Sequence, residues 1–145
     1  MRRRMVVLTE DGARHHGFSH DFVPGKEAFH FCEVDASGDV VDTPTFALVQ
    51  VQAVFFVRDF GFDRERRYTE EQAPFEPSPP PTAGAKRLRV ECAWGETLEG
   101  LTYGYDPERK GFFLFPTAPK DRTYNLERAY LTRRGVSEVE LSPAA

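Results

Sequence analysis

The residues best suited to chemistry crowd into one short stretch. All four histidines (His15, His16, His20 and His30) precede Cys32 closely. Imidazole and thiolate are ligand types that zinc accepts. Val23-Pro24-Gly25-Lys26 has the composition of a β-turn. If it pairs the flanking strands so that partner numbers sum to 50, His20 faces His30 and Phe18 faces Cys32. His20, His30 and Cys32 would then share one region. A fourth ligand is missing, so ordinary surface or half-buried side chains are the preferred reading. No metal, cofactor or catalytic residue is assigned, and the binding residues are left open. Asp11 with His16, or Glu96 with Glu99, can be drawn as acid–base pairs, as carboxylates can in most proteins. There is no Gly-x-Ser-x-Gly elbow, phosphate-binding glycine loop or metal-spaced cysteine pair. Cys32 and Cys92 read as two free thiols, buried or half-buried, in a reducing compartment.

The elements that position these residues are written twice. A shift of 83 places sets Val7 on Val90, Gly12 on Gly95, Gly17 on Gly100, Pro24 on Pro107 and Phe29 on Phe112. The zinc-type residues are not repeated: Tyr103, Phe113 and Phe115 stand in their places. The first module, residues 1–60, alternates β-branched runs with turn signals. Met5–Thr9, Ala13–Phe22, Ala28–Val34, Val40–Thr43 and the long run Phe46–Val57 read as strands. Residues 61–86 form a Pro-rich linker containing Pro77-Ser-Pro-Pro-Pro81. In the second module, residues 87–145, strands are expected at Leu88–Ala93, Thr97–Tyr105, Gly111–Phe115, Leu126–Thr132 and Val136–Leu141. Five short strands with tight turns predict a small, strongly bent barrel. Gly17 and Gly100, in mid-strand, permit the bending and close backbone approach. The fold expected is all-β: a tandem duplication of an SH3-like or Sm-like five-stranded barrel, the two modules packed together. Packing follows from size, because a unit of roughly 55–60 residues is marginal alone. Tyr103, Tyr105, Phe112, Phe113 and Phe115 make both faces of one sheet aromatic, and the second face is expected to pack within the molecule.

Certain strings resemble an uncharacterised bacterial domain family that accompanies PilZ and other signalling domains. They are Asp11-Gly12, Gly17-Phe18, Asp21-Phe22, Phe29-His30 and Ala53-Val-Phe-Phe-Val-Arg-Asp-Phe60 in the first half. In the second half they are Gly95-Glu96, Leu101–Pro107, Gly111-Phe-Phe-Leu-Phe-Pro116 and Asn125-Leu-Glu-Arg128. The resemblance covers nearly the whole chain outside the linker. It implies the fold and a signalling context, and it brings no site residues. A PilZ-like cyclic-dinucleotide site would need an arginine cluster and an Asp/Asn-x-Ser-x-x-Gly string. Arg2–Arg4 and Asp35-Ala-Ser-Gly38 echo these with the wrong spacing, and the echo is read as chance.

Charge narrows the function classes. The net charge is −4, and residues 1–60 hold six basic and nine acidic side chains. Residues 87–145 hold nine of each. No segment has the basic excess that phosphate-backbone binding requires. The apolar stretch after Arg2–Arg4 ends at Thr9-Glu10-Asp11, too short for a signal peptide or a membrane span. The expectation is a cytoplasmic, non-enzymatic protein-interaction or regulatory module with a protein partner. It would bind through an inter-module groove or a sheet edge. The alternatives are an Sm-like nucleic-acid binder and a cyclic-dinucleotide sensor; the oligomeric state is left open.

Overall fold

A computed structural model describes residues 3–24, 26–57, 85–103, 105, 108–116 and 126–143. Most of the linker, including Pro77–Pro81, lies outside them, as do Arg2, Gly25 and Asn125. The described chain is all-β, without an α-helix. In the first half the strands are β1 (Arg4–Thr9), β2 (Arg14–Phe18), β3 (Ala28–His30), β4 (Cys32–Val34), β5 (Val40–Asp42), β6 (Thr45–Ala47) and β7 (Val51–Val57). In the second they are β8 (Ala85–Cys92), β9 (Thr97–Tyr103), β10 (Gly111–Pro116), β11 (Leu126–Thr132) and β12 (Val136–Pro143).

The turns at Gly12 and Gly95 share one hydrogen-bond pattern. After β1 the Thr9 amide donates to the Ala13 carbonyl (3.0 Å) and the Gly12 amide to Thr9 (3.0 Å). After β8 the Cys92 amide donates to Glu96 (2.8 Å) and the Gly95 amide to Cys92 (3.0 Å). Gly12 (φ 86°) and Gly95 (φ 97°) hold the same left-handed turn position, which glycine adopts without a Cβ penalty. Each half also bends through a single 3-10 turn before its last strand: Leu48–Gln50 before β7, Arg133–Gly135 before β12.

The strands do not form two closed, separate barrels. Ten of them make one open sheet in the order β12-β8-β9-β10-β11-β7-β1-β2-β4-β5, and β3 and β6 pair apart from it. The expected third strand, Ala28–Val34, is interrupted at Phe31. The Phe31 amide bonds the Pro44 carbonyl (2.9 Å) across the break. The physical reason for the joined sheet is β7. It pairs with β1 on one edge and with β11 on the other, Val54 facing Val7 and Tyr130 respectively. The last strand of the first half is thereby also a partner of the second half.

This placement explains why β7 reads as an unbroken apolar run. Every residue of β7 is buried, as in strands covered on both faces. Successive side chains of the three central strands alternate between two cores. Val6, Leu8, Phe55 and Leu131 join Leu88, Leu98 and Leu114 of the second half. Met5, Val7, Val54, Phe56 and Tyr130 join Phe29, Phe31 and Phe46 of the first. The two halves therefore cover opposite faces of a shared three-stranded centre.

Candidate functional site

Where the halves meet, the surface opens into a cleft of about 900 Å³. Strand pairing builds its walls. β1 contributes Met5, β7 Phe56, β11 Arg128 and β10 Phe113. Phe18, Cys32 and the connection holding Ser19, His20 and Phe22 complete it. β2 reaches this position through Gly17. A Cβ there would lie 1.9 Å from the Cys32 carbonyl oxygen, so only glycine lets β4 come so close.

Arg128 dominates the cleft. Its guanidinium lies over two rings, 4.5 Å from the Phe56 centroid and 5.0 Å from that of Phe113. The rings attract a cation through their negative faces. The Nε atom is buried without a hydrogen-bond partner. Nor does the side chain form an ion pair with any described residue. Burial, followed by the nearby Arg3 charge, pulls its pKa below the ordinary guanidinium value. Arg3, also on the cleft wall, is paired with Glu127 at 3.2 Å. Around these cations stand Phe18, Phe22, Phe56 and Phe113; Phe22 packs edge-on against Phe29 and Tyr130. The site can therefore hold an apolar or aromatic group beside an anion.

The structure sorts the expected residues. Phe18 does face Cys32, and the His20 and His30 rings stack with centroids 6.5 Å apart. His20 and Cys32 both line the cleft. His30 instead donates from Nδ1 to Asp21 Oδ2 (2.7 Å). His15 bonds Glu33 (3.0 Å), and His16 is half-buried. Among the described residues no group of three or more His, Cys, Asp or Glu is arranged to hold a metal ion.

No acid–base or nucleophile arrangement is assembled from the other candidates. Asp11 accepts from the Thr9 hydroxyl and the Ala13 amide. Glu96 is buried and accepts from the Trp94 ring nitrogen (3.1 Å), while Glu99 faces Arg89. The Ser19 hydroxyl donates to the His30 carbonyl (2.6 Å) and lies 3.1 Å from Asp21, so no ring nitrogen activates it. Asp35-Ala-Ser-Gly38 is a tight turn: the Asp35 carboxylate takes the Ser37 and Asp39 amides, and Gly38 has φ 87°. Cys32 and Cys92 are free thiols, and burial pushes Cys92 up to about 12.

A family model matches residues 1–142, across both halves. The chain belongs to DUF6982, a family of unknown function. No curated protein and no solved structure matches. Nothing in the DUF6982 match connects the chain to PilZ or signalling domains.

Arg128 is remote in sequence from Phe56 and Phe113, and its residue type alone does not mark it. A signal was present all the same. The three strings Ala53–Phe60, Gly111–Pro116 and Asn125–Arg128 supply Phe56, Phe113 and Arg128, and only strand pairing puts them side by side.

Among the described residues no helix is long and apolar enough to cross a membrane.

Proposed function

We propose that this DUF6982 chain is a non-enzymatic protein-interaction module that grips its partner in the cleft between its halves. The observation that carries the reading is Arg128, a half-buried cation on a wall of phenylalanines whose Nε is buried without a hydrogen-bond partner. Aromatic and arginine side chains in concave, partly dry sites are the usual anchors of protein recognition. The fold is read as two SH3- or Sm-like units opened onto a shared centre. The strand order supports this: the second half runs β12-β8-β9-β10-β11 and the first β7-β1-β2-β4-β5 across the sheet, each with its last strand beside its first. A cytoplasmic, regulatory role in bacterial signalling belongs to the same proposal.

The test is affinity capture from native lysate with wild-type protein and a Phe113→Ser variant, each with and without nuclease. Proteins held by the wild type, lost on Phe113→Ser and indifferent to nuclease support the module. Partners that vanish with nuclease favour the Sm-like alternative. One observation favours a second reading, a nucleotide ligand: arginine beside aromatic rings also suits a phosphate next to a base. A thermal shift with cyclic dinucleotides tests it.

A further inference from the structure

From the charges in the cleft we infer that its ligand is a single carboxylate joined to an apolar or aromatic side chain, as an acidic or C-terminal peptide segment presents. This rests on the groove reading above. Among the described residues three charged groups meet at the seam: Arg128, Arg3 and Glu127. Glu127 is taken by Arg3 at 3.2 Å. Among these described groups one positive charge therefore remains uncompensated, and it belongs to Arg128. A monoanion balances it; a dianionic phosphate would leave excess negative charge in a partly desolvated cleft. A guanidinium is planar, and its donors match the two oxygens of a carboxylate. The Phe56 and Phe113 rings hold it in place beforehand, which reduces the ordering cost of binding. Phe18 and Phe22, on the same cleft, present apolar surface to the adjoining side chain.

The probes are small. N-acetyl-phenylalanine carries a main-chain carboxylate, and acetyl-Asp-Phe-amide carries a side-chain one. N-acetyl-phenylalaninamide lacks the charge, and phenyl phosphate replaces it. Each is titrated into the full chain while the Arg128 Nε–H signal and the Phe56 and Phe113 amides are followed by NMR. Iodoacetamide labelling of Cys32 gives a second readout, with buried Cys92 as the internal control. We expect a carboxylate probe to shift these signals and slow Cys32 labelling, the better of the two showing which source the site prefers. The amide should bind about tenfold more weakly or worse. Arg128→Gln, which removes the positive charge, should lose the difference between acid and amide while Cys92 stays protected, showing that the variant is folded.

Equal binding of the acid and the amide in the cleft overturns the carboxylate subsite and leaves the groove reading standing. Tighter binding of phenyl phosphate overturns it in favour of a nucleotide. If no probe disturbs any cleft signal, both readings fall.

Discussion

Gly17 has no room for a side chain. The nearest atom to an added Cβ is backbone, the Cys32 carbonyl oxygen, which cannot rotate away. Gly17→Ala is therefore expected to destabilise the protein by about 3 kcal/mol, the upper range for overpacking. Urea denaturation checks it, and a loss below 1 kcal/mol would contradict the close approach of β2 and β4. His16 makes a separate prediction. Burial lowers its pKa in the folded state, so the unfolded chain binds the proton more tightly. The stability that neutral His16 retains is present above about pH 6.5 and is lost as pH falls through the folded value. His16→Gln should flatten that decline in stability measured between pH 7.5 and 5. Asp21 acts with the same sign at lower pH: the His30 hydrogen bond holds its carboxyl well below the usual carboxylate range. The residue types of the cleft were open to reading, and so was the pairing of Phe18 with Cys32, because a turn sets register locally. Arg128 was hidden because a cation in sequence looks the same whether it faces water or two rings.

At the scale of elements, β7 decides the architecture. Its uniform apolar character announces a buried strand, and its β-branched and aromatic content favours strand over helix. It does not announce two partners from different halves. Because both its edges and both its faces are covered, amide exchange should be slowest in β7. Protection there should exceed that of the exposed β5, whose three residues all face solvent. Hydrogen exchange read by NMR checks the order, and faster exchange in β7 than in β5 would refute the shared centre. The turns were easier to foresee. Asp11-Gly12 and Trp94-Gly95 carry their geometry in their own residues, since a left-handed φ favours glycine wherever the turn sits. The interruption at Phe31 was not foreseen. It arises where Phe31 turns into the core beside Phe46.

At the scale of the molecule, the two halves should not unfold apart. Phe55 of the first half packs edge-on against Trp94 of the second, with ring centroids 5.6 Å apart. Trp94 fluorescence therefore reports on a core that both halves build. Urea transitions followed by Trp94 and by far-UV circular dichroism should coincide in one step. Two separated transitions would show two independent modules. Phe55→Ala should shift that single transition by about 3–5 kcal/mol, as deletion of a core phenylalanine does.

The amino-acid sequence by itself determined the all-β class, the glycine turns and the buried character of β7. Each of these depends on local backbone preference or on the period of apolar residues, which neighbouring positions encode. Only the tertiary structure decided that the halves share one sheet, and that Arg128 meets Phe56 and Phe113. Those facts depend on which strand edges find each other. Backbone hydrogen-bonding groups are the same at every position, so many pairings are compatible with one local pattern. The choice among them is made by burying two cores at once against a strand that has two apolar faces.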